Sequence, residues 1–426
     1  MQFVRLFWRG QLQRDTLLLL AGQTFYKLSG IALLMVLSRR LPAEQIGVFF
    51  FASSFAESFL TVASFHLNPV LVRRVAVAPE EASSHLAPLL GFRLLSSGLY
   101  LLWVTIAGLV FARTVWGVIV VVALFTLFDN IYFTFGALFI ALGKTIYNVS
   151  IGVVIQSVFL LLFLFGMWWA PSLEMVVATN FVRSLCLAVA AGYVTHRWLC
   201  PLWVSWDKSL IKEGMPFFFL NLFILLRERV DTLLLGFLTN YDTVGYYQLA
   251  FRVIFASLFI PMVVNSVLFP RFAAHGLSSD NRRLLFYGIS FLFGLGLLGS
   301  GIVFFYAVPI SALFYGALAD TVAPLLRVMA LLFPLSFLHP FLSSILQGLY
   351  QEARVLRVVI FSVGVSFLAH GTLIPLFGAY GAIYARLLSD AVGIGILGWC
   401  LWRLYKQKSP RSRKGTEPSS PATNLD

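Results

Sequence analysis

Residues 217–250, FFFLNLFILLRERVDTLLLGFLTNYDTVGYYQLA, form a hydrophobic run that is long enough to cross a bilayer. Four charged residues interrupt its middle: Arg227, Glu228, Arg229 and Asp231. A charge at mid-membrane depth costs about 2.5–3.5 kcal/mol on insertion scales, and such charges are kept where they face a bundle interior or an aqueous cavity. A polar turn at residues 240–243 ends the run, and Gly245 opens the next one. This stretch predicts a helical membrane protein built around a polar cavity.

The composition of the whole chain supports this interpretation. The 426 residues are 59% hydrophobic and 12% charged, with a mean hydropathy of +0.88, whereas a soluble protein carries about 25% charged residues. There is too little polar surface to cover a soluble globule, so the sequence predicts an all-α polytopic membrane protein. We count twelve spans, at residues 16–38, 45–66, 88–111, 115–138, 147–169, 173–195, 214–238, 243–268, 284–308, 325–348, 355–376 and 380–402.

Basic residues are distributed unevenly between the two sides that these spans define. If both termini are cytoplasmic, twenty lysines and arginines lie in cytoplasmic segments, and only Arg39, Arg40 and Arg113 lie on the opposite side. This positive-inside bias supports both the span count and an orientation with both termini in the cytoplasm. The net charge of +13 therefore reflects topology, and we expect no nucleic-acid partner.

An internal repeat divides the chain into two halves. Residues 37–55 (LSRRLPAEQIGVFFFASSF) align with residues 235–253 (LGFLTNYDTVGYYQLAFRV), which matches Gly47 to Gly245. The aligned segments are six spans apart and run in the same direction. We therefore expect two six-helix lobes related by a parallel repeat, with a central cavity between them.

The predicted organisation follows from this repeat. Farther along the two halves, residues 70–76 (VLVRRVA) align with residues 267–273 (VLFPRFA). The chain is divided into a cytoplasmic amphipathic N-terminus at residues 1–15, an N-lobe at 16–195, a cytoplasmic linker at 196–213, a C-lobe at 214–402 and a basic, disordered cytoplasmic tail at 403–426.

Several charged residues lie deep inside the predicted spans. At a rise of about 1.5 Å per residue, most of them fall near the bilayer midplane, and polar residues recur on shared helix faces that should point inward. The candidate substrate-binding residues are Lys27, Arg183, Arg227, Arg229, Arg252 and Arg386. The candidates for ion coupling or charge pairing are Glu57, Asp129 and Asp231.

Two explanations of these charges stay open. In the first, the charges neutralise one another. Arg227 and Asp231 have the i, i+4 spacing that favours an ion pair, and Arg229 could be held by Glu228 or by a neighbouring helix. In the second, they form a site: the spans hold eight cations and five acids, and a cavity with surplus positive charge favours an anionic ligand. Arginine suits phosphate because its planar guanidinium can donate two hydrogen bonds.

Other motifs carry less information. His339 and His370 lie in spans, where packing is a simpler role than a proton relay. The two G-x-G-x-x-G stretches, at residues 294–299 and 393–398, lie inside hydrophobic spans and indicate helix packing rather than nucleotide binding. We find no metal-binding, phosphate-loop or nucleophile motif, and we expect no catalytic residue, metal or cofactor.

Four motifs follow one another along the chain: LPAEQIGVFFFA at residues 41–52, RVDTLLLGFLTNYDTVGYYQLA at 229–250, IPMVVNSVLFPRFA at 260–273 and LIPLFGAYGAIYA at 373–385. In order and spacing they resemble the polysaccharide transporter family. This family comprises the O-antigen and oligosaccharide flippases of the multidrug/oligosaccharidyl-lipid/polysaccharide exporter superfamily. Asp231 matches a family position directly, whereas the basic candidates rest on depth and helix face.

The resemblance implies a V-shaped arrangement of the two six-helix lobes, a function and a location. Such a flippase moves undecaprenyl-diphosphate-linked oligosaccharide, the repeat unit of an O-antigen, capsule or exopolysaccharide, from the cytoplasmic to the outer leaflet by alternating access. Arginines of the cleft would engage the diphosphate. The resemblance also implies the bacterial inner membrane, with membrane lipids, polysaccharide polymerase and chain-length proteins as candidate partners. We expect a transporter and not an enzyme.

Two other classes of protein compete with this interpretation. A cation-coupled exporter of small molecules or drugs, from the same superfamily, would need an interior dominated by acids. Glu57, Asp129 and Asp231 favour it, and the surplus of cations argues against it. A polytopic glycan polymerase or ligase would need a sizeable outer loop or a catalytic constellation, and the sequence shows neither.

Overall fold

Residues 2–407 form sixteen α-helices and no strand. The structure is a computed structural model that describes the backbone of these residues and the side chains of residues 17–406, except at positions 266, 267, 270, 275, 279 and 280. The helices are α1 (Gln2–Arg40), α2 (Ala43–Ser64), α3 (Asn68–Val77), α4 (Ala82–Phe111), α5 (Trp116–Ala141), α6 (Thr145–Trp169), α7 (Leu173–Val194), α8 (Ser209–Leu238), α9 (Tyr241–Ser257), α10 (Phe259–His275), α11 (Ser279–Phe305), α12 (Ala307–Tyr315), α13 (Ala319–Met329), α14 (Leu332–Gly348), α15 (Glu352–Phe377) and α16 (Ala379–Gln407).

Within the described residues, twelve helical segments are long and apolar enough to cross a membrane, as predicted. The tenth differs from the prediction of residues 325–348, because by length and hydropathy it covers Ala307–Met329. However, α12 packs side by side with α13 after a turn at Gly316, whose φ is +56°. Ala307–Met329 is therefore not one straight helix. Residues 319–348, which form α13 and α14, contain the predicted span.

The second helix of each predicted half is interrupted along its length. α2 and α3 are separated by Phe65 and His66, whose backbones are left-handed with φ of 45° and 48°. α9 and α10 are separated at Leu258. Residues 70–76 and 267–273, which the repeat aligns, lie on α3 and α10. Both halves thus continue beyond the interruption with a second helical segment.

α2 and α9 pack closely at the two glycines that the repeat aligns. A Cβ atom added at Gly47 would lie 2.6 Å from the carbonyl carbon of Tyr241 and 2.9 Å from the Gly245 nitrogen. A Cβ atom at Gly245 would lie 3.0 Å from the carbonyl carbon of Ala43. Small residues let helix backbones approach in this way inside a membrane. The predicted N-lobe and C-lobe therefore touch backbone to backbone at Gly47 and Gly245.

α8 joins the halves a second time, because it packs along both α2 and α15. Asn221 of α8 donates a hydrogen bond to Thr61 of α2 at 3.2 Å. At the start of α8, Arg74 of α3 contacts Glu213 at 2.7 Å and Asp207 at 3.1 Å. The stretch quoted at the outset therefore lies between the two halves.

The predicted linker, residues 196–213, is helical at both of its ends. A short helical turn at Thr195–Leu199 extends α7, and α8 begins at Ser209 rather than at residue 214. Residues 200–208 form the non-helical connection, in place of the predicted 196–213. The reason is that polar and charged residues around Lys212 continue a helix beyond the end of its hydrophobic run.

The terminal helices also extend farther than their hydrophobic runs. α1 is continuous from Gln2, with no backbone break at residue 15, and the predicted amphipathic character of residues 1–15 concerns side chains outside the described set. α16 continues to Gln407, five residues past the predicted end at 402. The rest of the predicted tail, residues 408–426, lies outside the described residues.

Candidate functional site

The structure pairs four of the six predicted ligand cations with carboxylates on other helices. The pairs are Arg183–Asp129 (Nη2 to Oδ2, 2.9 Å), Arg386–Asp231 (Nη1 to Oδ2, 2.5 Å), Arg227–Asp390 and Arg229–Glu57. The three acids proposed for ion coupling or charge pairing are all members of these pairs. Their charges are thus balanced within the protein in this conformation.

Two of these ion pairs connect α8 to α16. The predicted pair between Arg227 and Asp231 is wrong, because Arg227 binds Asp390 and Asp231 binds Arg386. Arg386 and Asp390 are themselves four residues apart on α16, so two interhelical pairs form in place of local ones. The Tyr247 hydroxyl also donates a hydrogen bond to Asp231 at 2.6 Å. These contacts hold α16 to α8 and α9.

The other two pairs lie in different parts of the protein. Arg229 is held by Glu57 of α2, which is the neighbouring-helix alternative and not Glu228. This pair joins the predicted C-lobe to the N-lobe. Arg183 of α7 binds Asp129 of α5, and its guanidinium lies over the Phe159 ring at 5.6 Å from the centroid. This second pair is internal to the N-lobe.

Lys27 and Arg252, the remaining two candidates, line one cavity of about 410 Å³. The cavity is bounded by α1, α2, α6, α7 and α9, so residues of both predicted lobes form its wall. Among the described side chains, neither Lys27 nor Arg252 forms an ion pair. The Nε atom of Arg252 is buried and has no hydrogen-bond partner in that set. This cavity therefore holds two uncompensated cations.

Aromatic rings hold these two cations. The Lys27 Nζ lies over the Phe259 ring, 5.5 Å from its centroid. The Arg252 guanidinium lies 4.6 Å from the centroid of Phe50 and 5.5 Å from that of Phe255. A cation over a ring face gains about 0.5–2 kcal/mol, which is less than a carboxylate or phosphate offers. The cations are thus positioned but not neutralised.

The rest of the Lys27–Arg252 cavity is apolar. Besides the two cations, Tyr26 and Asn180 are the polar members of its wall, and the other residues are aliphatic, aromatic or glycine. A ligand with a compact anionic group and a long apolar part matches this combination. Phosphate or diphosphate attached to a hydrocarbon chain has this chemistry.

A second cavity, of about 350 Å³, has a different character. It lies among α8, α10, α14, α15 and α16, and twelve of its nineteen lining residues are polar or charged. Arg227, Arg386 and Asp390 contribute to its wall, as do His339 and His370. Arg227 and Asp390 pair with each other and Arg386 pairs with Asp231, whereas Glu228, which also lines the cavity, forms no ion pair among the described side chains. The wall holds two cations and two carboxylates, so this cavity offers polar groups without a large net charge.

The two histidines of this second cavity are buried, as the packing interpretation requires. His370 is 1% exposed, and its Nδ1 lies 2.7 Å from the Ser366 carbonyl oxygen. His339 is 8% exposed. Among the described residues, no three His, Cys, Asp or Glu side chains group closely enough to hold a metal ion.

Two further span cations belong to neither cavity. Arg93 is 4% exposed and donates hydrogen bonds to the Ala63 carbonyl and the Asn68 side chain, each at 3.0 Å. It thereby connects the end of α2 to the start of α3 across the interruption. Arg327 of α13 is exposed. The surplus of cations counted in the sequence is therefore divided between a structural role, the surface and the Lys27–Arg252 cavity.

The sequence did not identify all residues of this arrangement. Asp390 is one of the five acids counted inside the spans, but nothing local linked it to Arg227, which is 163 positions away. Phe50, Phe255 and Phe259 looked like ordinary apolar residues. The spacing of Phe255 could have identified it, because it lies three residues after Arg252 and therefore on the same helix face.

The chain was compared with known families. The profile of a family described as "Polysaccharide biosynthesis protein" matches residues 12–275. The chain belongs to this family. The match begins in α1 and ends at the last residue of α10, so it includes Lys27, Arg252 and the quoted stretch around Asp231. The predicted family membership is confirmed.

A curated relative and two solved structures are also similar. "Probable flippase AglR" of Haloferax volcanii is 28% identical over 174 residues, which cover 38% of this chain and 36% of that relative. The alignment thus spans about a third of the relative's length. An inward-facing multidrug resistance MATE family transporter of the MOP superfamily superposes with a TM-score of 0.70 at 13% identity, over 90% of this chain and 96% of that chain.

The second solved structure is "Lipid II flippase MurJ, inward closed conformation". It superposes with a TM-score of 0.68 at 12% identity and covers 90% of this chain and 87% of that chain. At such identities the likeness shows the fold alone. The chain therefore has the fold of the MATE transporter of the MOP superfamily and of MurJ.

Proposed function

We propose that the protein is a flippase that moves a lipid-linked oligosaccharide, with the Lys27–Arg252 cavity as the site of the diphosphate. The observation that carries the proposal is the presence of two uncompensated cations in one apolar cavity between the predicted lobes. Family membership, and the names of AglR and MurJ as flippases, support the same class of function. An undecaprenyl-diphosphate carrier supplies both the anion and the long apolar chain.

The finer details of the proposal come from the resemblance. They are alternating access, transfer from the cytoplasmic to the outer leaflet of a bacterial inner membrane, and both termini in the cytoplasm. An O-antigen, capsule or exopolysaccharide repeat unit would be the cargo, and a polysaccharide polymerase and chain-length proteins would be partners. These points stay predictions, and they follow from the proposal without adding support to it.

The ion pairs weigh against the competing cation-coupled exporter. Such an exporter needs a carboxylate that can bind a proton, a sodium ion or a cationic substrate. Glu57, Asp129 and Asp231 are each held by an arginine in this structure. A cationic substrate would also meet the unpaired Lys27 and Arg252 in the Lys27–Arg252 cavity.

The test replaces the two unpaired cations by neutral residues of similar length. In a strain that lacks the gene, lipid-linked oligosaccharide should accumulate on the cytoplasmic leaflet, and the wild-type gene should relieve this. Lys27→Gln and Arg252→Gln should each lower the transport rate at limiting substrate roughly ten- to hundredfold. This corresponds to the roughly 1.5–3 kcal/mol that a hydrogen bond to a charged group contributes.

The matched control is Arg327→Gln, which makes the same chemical change at an exposed arginine outside both cavities. It should transport like the wild type, and all three variants should insert in equal amounts. Wild-type transport by the double variant Lys27→Gln/Arg252→Gln would contradict the assignment of the site. An unchanged lipid pool in the deletion strain would contradict the proposed function itself.

A further inference from the structure

A groove lies at the end of the protein where α15 begins and α16 finishes. The two helices are packed side by side, and the groove between them has a volume of about 430 Å³. Arg354 and Arg357, in the first two turns of α15, line it together with Arg403 from the last turns of α16. It shares no residue with the two cavities described above.

The described side chains do not neutralise the three arginines. No carboxylate lines the groove, and among the side chains of residues 17–406 none of the three forms an ion pair. Like charges that share a groove repel one another, and the repulsion is relieved when an anion binds between them. The groove therefore has the electrostatics of an anion site.

Two of the guanidinium groups are positioned by contacts that leave donors free. Arg357 uses its Nε to donate a hydrogen bond to the Ala353 carbonyl at 3.2 Å, so its two terminal nitrogens remain available. Arg403 lies over the Trp399 ring, 3.8 Å from the centroid. A stacked guanidinium keeps its N–H groups at the edge of the plane, where they can point at phosphate oxygens.

The lining changes from charged to apolar along α15 and α16 toward the middle of each helix. On α15, Val358 and Phe361 follow Arg357 toward the middle of the helix, and on α16, Ile396 and Trp399 precede Arg403. At about 1.5 Å per residue, the apolar positions lie up to about 10 Å deeper than the arginines. Phe361 is 56% exposed and Trp399 49% exposed. An anionic head above an apolar body is the structure of a phospholipid.

We propose that this groove binds an anionic phospholipid, with the phosphate held by Arg354, Arg357 and Arg403 and an acyl chain against Phe361 and Ile396. Basic pockets between membrane helices on the cytoplasmic side commonly bind anionic head groups. The positive-inside rule assigns this end of α15 and α16 to the cytoplasm. Trp399 suits the level between head groups and hydrocarbon. A soluble phosphate would make no contact with the apolar half of the groove, so the presence of both a charged and an apolar half favours a lipid.

The test measures binding of phosphatidylglycerol to the purified full-length protein by native mass spectrometry, with phosphatidylethanolamine as the zwitterionic comparison. The variant Arg354→Gln/Arg357→Gln/Arg403→Gln should lose about a hundredfold in affinity for phosphatidylglycerol. If it fails to fold, Arg357→Gln/Arg403→Gln carries the same test, because both of these side chains are exposed.

The matched control is Arg197→Gln/Lys208→Gln/Lys212→Gln. It removes the same number of charges from exposed side chains on the side predicted to be cytoplasmic, but outside the groove. It should bind phosphatidylglycerol like the wild type. An equal loss in both variants would show diffuse attraction of lipid to a basic surface and would overturn the proposal. Unchanged binding in the groove variant, or displacement of the lipid by an equal concentration of inorganic phosphate, would overturn it as well.

Discussion

Replacing Gly47 by alanine should push α2 and α9 apart. The new Cβ atom would lie 2.6 Å from the carbonyl carbon of Tyr241 and 2.9 Å from the Gly245 nitrogen, whereas carbon atoms pack at about 3.5–4.0 Å. Both neighbours are backbone atoms of α9, so no side-chain rotation relieves the overlap. The Tyr241 carbonyl oxygen would lie closer still, so the two helices must separate locally by more than about 1 Å.

The energetic cost of this substitution has two opposing parts. Overpacking costs about 1–3 kcal/mol, and we take the upper end because backbone faces backbone. The higher helix propensity of alanine offsets about 1 kcal/mol of this cost. The expected net loss is about 2 kcal/mol, which lowers the population of the closely packed state roughly thirtyfold.

Gly294→Ala is the matched control, because a Cβ atom there meets nothing within 4 Å. It should raise stability by up to about 1 kcal/mol. Thermal unfolding in one detergent should give a lower midpoint for Gly47→Ala than for the wild type, and an equal or higher midpoint for Gly294→Ala. Hydrogen exchange should increase in α2 and α9. Equal midpoints for the two variants, with unchanged exchange in α2 and α9, would refute the close contact.

Two further predictions concern buried and exposed charges. Asp231→Asn should lower the free energy of unfolding by about 3–5 kcal/mol, because the Arg386 guanidinium loses its carboxylate in a buried site. Adding Arg386→Gln should restore more than half of the lost thermal stability. Strictly additive losses in the double variant would contradict the pair. The second concerns Asp207, whose pKa is lowered, first by hydrogen bonds from Ser209 and then by Arg74. A lowered pKa stabilises the fold above the ordinary Asp value of about 3.9 and stops doing so as the pH falls through the folded pKa. Pepsin should therefore begin to cleave residues 200–208 only below about pH 4. Asp207→Asn lacks this charge at every pH, so its cleavage should begin at a higher pH; identical onsets would contradict this role.

The features that could be predicted from the sequence depend on one segment at a time. The number of spans follows from hydropathy, because each helix must satisfy its own backbone and present an apolar surface to lipid. The depth of Lys27 and Arg252 follows from counting residues along a helix. The Gly47–Gly245 match followed from the repeat, and the structure brings these two glycines into contact. None of these inferences required knowledge of which helices are neighbours.

The features that could not be predicted depend on which helices are neighbours. The i, i+4 rule favoured Arg227 with Asp231, but it describes a helix surrounded by water, where no other partner competes. Inside a membrane bundle, Arg386 and Asp390 of α16 also need partners of opposite charge. They therefore pair with Asp231 and Arg227 of α8. The tenth span differed for a related reason. α12 is apolar but folds back on α13, and hydropathy cannot distinguish a crossing helix from one that packs at the end of a bundle.

The pairing also changes what mutations of the basic residues can reveal. The sequence analysis placed Arg227 and Arg252 in one set of candidate substrate-binding residues. In the structure, Arg227→Ala would leave Asp390 buried without its partner, so loss of export would follow from misfolding alone. No carboxylate pairs with Arg252 among the described side chains, so replacing Arg252 leaves no buried acid without its partner. The effect of its neutral variant on transport therefore reports on ligand binding. Of the six candidate cations, only Lys27 and Arg252 therefore separate binding from stability in a single substitution. For the other four, removing both partners of a pair is the informative experiment.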